Sequence, residues 1–423
     1  MRQASTSIIL FVLIPAAIAL VCVPTFGILD FAQADAQTQQ YLLLFYLPAI
    51  LAAVALLFWK QKPTDRAIEI NRIWPLAVLS CLSIIDITVS IADLVLSRNV
   101  LTVGISAAWQ TATDEGARNS IQGAIGLVLS GAPTLFLSLA ILQPESQQRR
   151  DLVIVAAIVL FSLSLICMLA SSSRNSVVVS IAYIGTVAFL RSSFCRKPVG
   201  ALLDRRLRIT ATSIAISLTL VALFGIILFL FVERANLTHG SVDQAIAYFL
   251  EEYRVELRVA PPENSLLKSV FYSLMMLEFY VTHPSAYFSS YIAAGYCPGG
   301  HGAYSFYGLF RVIDFLIGTQ FVSAGSAQMI LPGVYLTLPG FLFLDFCDAG
   351  ILVGWIILAA TTLSLAFFFS GNPSLIFATA YLLCVFLFAP FYALPSIGDG
   401  MSLMLLAVSL SVCRVLTPLC KVT

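Results

Sequence analysis

Long apolar runs recur along this chain, separated by short polar breaks. A bilayer-spanning helix needs about 20 mostly apolar residues. Runs of that kind lie at 7–29, 41–59, 73–97, 121–142, 152–170, 175–190, 209–232, 341–369, 374–392 and 399–416. The pattern predicts an all-α, polytopic transmembrane helix bundle of about ten spans. Pro15, Pro48 and Pro75 fall inside runs, which a membrane bundle tolerates because neighbouring helices satisfy the freed backbone groups. The breaks divide the chain into a first membrane part, 1–232, a large loop, 233–340, and a C-terminal membrane part, 341–423.

The loop has its own pattern. SVDQAIAYFLEEYRVELR (241–258) and NSLLKSVFYSLMMLEFY (264–280) place apolar residues at three and four spacing, which predicts two amphipathic helices suited to lying on a membrane surface. YCPGGHGAYSFYG (296–308) is rich in Gly and Tyr and predicts an irregular loop. The stretch 312–343 is apolar but interrupted by Gly and Pro, so a segment dipping back into the membrane is expected there. All three histidines, His239, His283 and His301, fall in this loop. No internal repeat is visible, which counts against the inverted-repeat transporters.

Composition agrees with the pattern. Of 423 residues, 59% are apolar and 11% charged, whereas soluble domains carry about 25% charged residues. Loop cations set orientation in a bilayer. With the N-terminus in the cytoplasm, 15 of the 23 Lys and Arg fall on the inner side, in clusters such as 60–72 and 191–208. The short outer loops then hold Arg98, Arg118 and Arg174, and the long loop holds Arg234, Arg254, Arg258, Lys268 and Arg311. Both termini are expected in the cytoplasm and the long loop in the periplasm. FAQADA (31–36) resembles a signal-peptidase site, but the preceding apolar run is longer than an h-region, so an uncleaved span is favoured. No basic stripe with interleaved aromatics points to nucleic acid. The nine cysteines form no CxxC pair and are expected to be small buried hydrophobes, with no disulfide framework or metal site.

Few residues can carry chemistry. SSSRNS (171–176) is a hydroxyl-rich turn before a span; Ser172 and Ser173 can cap the helix, and Arg174 beside its free N–H groups makes an anion site suited to phosphate. The same turn is equally a capped hairpin with a snorkelling arginine. Arg311 and Asp314, three apart, share a helix face, as an ion pair or with Arg311 free for function. His301 in the Gly-rich loop is either solvated or a general base. Asp345 and Asp348 stand where span eight begins, favourable with the helix dipole and also placed to orient an acceptor. Asp86 and Asp93, seven apart in span three, form a rival signal of the kind a proton or cation pathway would show. NLT (236–238) is too short a pattern to argue from, three histidines without metal spacing do not argue zinc, and no Walker, Rossmann or GxSxG motif occurs.

The multi-span layout, the SSSRNS turn, one late loop with arginines, YSFYGLFRVIDFLIG (304–318) and LFLDFCDAGILVGW (342–355) together resemble the oligosaccharide repeat-unit polymerases, the O-antigen polymerase (Wzy-type) family of bacterial inner membranes. The resemblance implies a metal-independent, membrane-embedded C-type glycosyltransferase without cofactor. It would transfer a growing glycan from undecaprenyl pyrophosphate to the non-reducing sugar of a new lipid-linked repeat unit at the periplasmic face. Arg174 and Arg311, with Ser172 and Ser173, would bind pyrophosphate; His283, His301, Asp345 or Asp348 would orient or deprotonate the acceptor hydroxyl. Partners implied are the lipid-linked oligosaccharides, the bilayer, a chain-length regulator and a flippase, and no nucleic acid. Two rivals stand beside it: the O-antigen ligase, which transfers glycan to lipid A-core, and a multi-span transporter of anionic or lipid-linked substrates with Asp86 and Asp93 as coupling residues. The product, lipopolysaccharide or another polysaccharide, is left open.

Overall fold

The computed structural model describes residues 2–30, 36–58, 66–70, 73–97, 125, 128–143, 150–170, 174–194, 225, 228–229, 231–233, 235–253, 255–321 and 336–420. The fold is all-α. In chain order the elements are α1 (Gln3–Phe26), β1 (Leu29–Asp30), α2 (Ala36–Phe58), β2 (Arg66–Ile70), α3 (Trp74–Leu96), α4 (Ala132–Ile141), α5 (Arg150–Ala170) and α6 (Arg174–Phe194). Then come α7 (Val242–Tyr253), β3 (Glu256–Leu257), α8 (Ser265–Ala293), α9 (Tyr307–Ile317), α10 (Leu338–Phe346), α11 (Gly350–Phe369), α12 (Ile376–Phe388), α13 (Gly398–Val412) and β4 (Leu416–Cys420).

Among the described residues, six helical stretches are long and apolar enough to cross a bilayer: α1, α2, α3, residues 151–170 of α5, residues 175–194 of α6, and the stretch Leu338–Phe369. This is a multi-pass membrane protein; six of the ten expected spans are full-length helices among the described residues. The run 209–232 lies almost wholly outside the described residues. The run at 121–142 is described only in part and includes the short helix α4, and the runs at 374–392 and 399–416 hold the shorter helices α12 and α13. The ten residues of α4 rise about 15 Å, half of a hydrocarbon core about 30 Å thick. Protein, not lipid, accounts for much of their apolar character: Ala132 to Ala140 are all buried, and ten of the thirteen residues of α12 are buried.

Interhelical hydrogen bonds fix the bundle where apolar contact alone gives no preference over lipid. Ser5 Oγ donates to the Ala53 carbonyl (2.7 Å), Thr134 Oγ1 to Ser180 Oγ (3.0 Å), Tyr183 OH to the Phe377 carbonyl (3.1 Å) and Trp355 Nε1 to the Leu44 carbonyl (3.0 Å). Gly354 is required where α11 crosses α2, because a Cβ there would lie 2.2 Å from the Phe45 ring.

Two strand pairs tie distant segments on opposite faces. β1 pairs antiparallel with β3, and β2 with β4 over Arg66–Ile70 and Leu416–Cys420. Residues near 30 and 256 therefore lie together, on what is here the loop face, and residues near 68 and 418 lie together beyond the other end of α2. On the loop face the Glu278 carboxylate accepts from the Ile28 and Leu29 N–H groups (2.6 and 2.9 Å), and Arg258 binds the Thr25 carbonyl and Asp30.

The two amphipathic helices are present, but α8 extends thirteen residues past the expected end at 280, to Ala293. Their apolar faces meet each other: Ala245, Ile246 and Phe249 of α7 pack with Phe271, Tyr272, Met275 and Phe279 of α8 around Leu29 in a second core. A separate stripe on α8, Leu266, Leu267, Val270 and Leu274, stays exposed.

Candidate functional site

The apolar stretch expected to be span eight is two helices. At Cys347 the backbone turns to φ 54°, ending α10, and a 3-10 turn over Cys347–Ala349 leads into α11. Helix α10 is nine residues, and Leu338 through Asp345 are buried. Its first N–H donors adjoin the end of α12, where Leu338 N donates to the Ala389 carbonyl (2.7 Å). Most of the stretch 312–343 expected to dip back into the membrane, residues 322–335, lies outside the described residues.

The end of α10 carries the Gly-rich loop. A helix leaves its last carbonyls without intrahelical partners. Here Gly299 N and Gly300 N donate to the Leu344 carbonyl (3.1 and 3.0 Å), and His301 N to the Asp345 carbonyl (3.1 Å). The Asp345 carboxylate, 1% exposed, accepts from Tyr304 N at Oδ1 (3.0 Å) and Ser305 N at Oδ2 (2.7 Å). Gly300 must be glycine, since a Cβ there would strike the Tyr304 ring and Asp345 Oδ1. The loop wraps so tightly that His301 itself takes a left-handed φ of 51°. Burial pushes the Tyr304 phenol up to about 12, with Tyr296 and Asp345 adding.

A disulfide joins Cys297, before this loop, to Cys347, after α10. The expectation that no cysteine would be bridged is corrected here. The two are 50 residues apart with no local spacing to announce them, and only the capping of α10 by the loop brings their Cα atoms to 5.6 Å. The bridge and the Asp345 hydrogen bonds hold the loop of exposed His301 on the end of α10, and exposed Asp348 follows in the turn after that helix.

The other expected residues divide. His283 is buried in α8; its Nδ1 lies 2.9 Å from the Phe279 carbonyl and its ring stacks on Phe279 at 4.1 Å, with Tyr280 and Tyr287 edge-on. Burial pulls its pKa down to about 4 against the opposing hydrogen bond, so the ring is neutral and enclosed. A base acting on a substrate hydroxyl needs hydrogen-bond reach of it, and neither His283 nor Asp345 offers a free face. Both hold structure instead. Ser172, Ser173 and the Arg174 side chain lie outside the described residues.

Arg311 is half-buried on α9. Asp314 terminates that helix: its Oδ1 accepts from Thr319 Oγ1 (2.6 Å) and Phe321 N (3.0 Å), and Gly318 closes it at φ 73°. Helix α9 abuts the start of α13, with Gly308 against Met401 and the Ile397 carbonyl. The start of α6 meets the same turn, where Ser176 Oγ donates to Asp399 Oδ2. The helix that opens at Arg174 and the helix that carries Arg311 thus converge on residues 397–401. Asp399 was not singled out by the sequence, although GDG (398–400) after a proline is a recognisable helix-start pattern. Asp86 is 3% exposed and faces Asp399 electrostatically, whereas Asp93 is half-buried near the end of α3.

Among the described residues, no group of three or more His, Cys, Asp or Glu is arranged to hold a metal ion. The chain matches no protein family, no curated protein and no solved structure.

Proposed function

We propose that this protein is a bacterial inner-membrane polymerase of undecaprenyl-pyrophosphate-linked oligosaccharide repeat units, acting at the loop face, with that face in the periplasm and both termini in the cytoplasm. The observation that carries the reading is the convergence of α6, opening at Arg174, and α9, carrying Arg311, on the first turn of α13. A pyrophosphate leaving group needs its developing charge neutralised, and guanidinium forks do so through bidentate hydrogen bonds. The loop-face disulfide supports an oxidising compartment on that side.

In the reaction, the bond between the anomeric carbon of the glycan and the pyrophosphate oxygen breaks, and a bond to the acceptor hydroxyl oxygen forms. Arg174 and Arg311 take the leaving pyrophosphate. The hydroxyl proton goes to His301 or Asp348, both exposed about the end of α10, and then to water. Asp345 is a positioning residue that holds the His301 loop. No step requires a metal or cofactor, because the donor arrives activated.

The test is a deletion strain examined by polysaccharide gel. Glycan limited to a single repeat unit supports the polymerase. An intact ladder overturns it, and loss of all glycan from lipid A-core identifies a ligase, which would use the same arginine chemistry.

A further inference from the structure

A polar cluster of buried Asp86 and Ser176 with half-buried Ser130 and Asp399 lies where α3, α4, α6 and α13 meet, and no step of the glycosyl transfer uses it. Asp86 projects from the second half of α3 and is 3% exposed. Its Oδ1 has no hydrogen-bond partner. It lies within electrostatic range of Asp399, on the first turn of α13. Ser176 donates to Asp399, and the Ser130 hydroxyl on the same side, enclosed, has no hydrogen-bond partner among the described residues. Ser130 is held there by Ser402, whose Oγ accepts from Gly131 N (2.8 Å) and donates to the Val128 carbonyl (2.6 Å). Cys167 of α5 also lies within electrostatic range of Asp86.

Among the described residues, no Lys or Arg pairs with either carboxylate. A buried, unpaired carboxylate costs several kcal/mol, and a second one facing it adds repulsion. Some positive charge must answer this. The groups present are hard oxygens, two carboxylates and two hydroxyls, the donor type that suits alkali and alkaline-earth cations over soft metals. Two acids and hydroxyl groups suit a monovalent ion; calcium sites gather more carboxylate oxygen.

We infer that Asp86, Asp399, Ser130 and Ser176 form a sodium-ion site inside the bundle, joining α3, α4, α6 and α13. The bound ion braces the start of α6 against the start of α13, the turn on which α9 also rests. This site stands independently of the polymerase reading, since it rests on the orphaned Asp86 oxygen and the facing Asp399.

The experiment uses the purified full-length protein in lipid nanodiscs. Its thermal unfolding midpoint is followed at fixed pH in NaCl and in choline chloride of equal ionic strength, together with direct binding of radioactive sodium. The wild type should show a saturable upward shift in sodium alone, and Asp86→Asn should lose both the shift and the bound sodium. Should Asp86→Asn fail to fold, Ser130→Ala removes one oxygen without changing charge and should raise the half-saturating sodium concentration several-fold. Equal midpoints for the wild type in both salts would overturn the site. So would a sodium shift retained in Asp86→Asn and unchanged in Ser130→Ala, or stabilisation by acid alone with no bound sodium, which would mean the pair holds a proton.

Discussion

The Ser305 N–H donates to Asp345 Oδ2 at 2.7 Å across 40 residues of chain, while Tyr304 N occupies the other carboxylate oxygen. One buried acid therefore shapes the loop that displays His301, and its contribution to activity is geometric. Asp345→Asn turns an acceptor into a donor facing a backbone N–H. An unsatisfied buried donor costs about 1–3 kcal/mol. The expected result is a lower unfolding midpoint and reduced polymer, with the pH profile of the remaining activity unchanged. A shifted pH profile would instead mark Asp345 as the base.

The Cys297–Cys347 bridge closes a 50-residue loop. Removing such a bridge typically costs about 2–4 kcal/mol. Cys297→Ser and Cys347→Ser should each lower the unfolding midpoint, and the double variant should match the singles. Maleimide labelling of denatured wild type, before and after reduction, should show two thiols appearing only on reduction.

Arg174→Lys and Arg311→Lys keep the charge but lose the planar fork. Each should shorten or abolish the polysaccharide ladder while protein levels on a blot stay normal. A normal ladder from both would refute the pyrophosphate role.

His283 makes stability depend on pH. Its folded pKa is about 4, below the ordinary 6.5, so below pH 6.5 the unfolded chain binds the proton that the folded chain refuses. Stability from this group is complete above about pH 6.5 and falls as pH drops toward 4, by about 3 kcal/mol in all. Unfolding midpoints measured from pH 7 to 4 should fall more steeply in wild type than in His283→Leu.

Gly354→Ala tests the α2–α11 crossing. The added methyl would meet the Phe45 ring at 2.2 Å, and overpacking of this kind costs about 1–3 kcal/mol. The variant should unfold at lower temperature, and Phe45→Leu should recover part of the loss by giving the methyl room.

Periodicity and apolar run length were enough to identify the membrane class, the all-α fold and the two helices of the long loop, because lipid and helix geometry impose those patterns residue by residue. They do not by themselves separate a lipid-facing run from a protein-enclosed one, because a stretch such as 132–141 is equally apolar in either setting, and only burial distinguishes the two. Residue chemistry picked out Arg174, Arg311, His301 and Asp348 as candidates. It could not sort His283 and Asp345 from them, since enclosure of a side chain depends on what packs over it. Asp399 and the Cys297–Cys347 bridge escaped notice for the same reason: Ser176 meets Asp399 across 223 residues, and Cys297 meets Cys347 across 50. Local sequence determined which segments are helices and which side chains carry chemistry. Long-range packing alone decided which of those side chains meet, because proximity between distant segments is a property of the folded bundle and leaves no periodic trace in the chain.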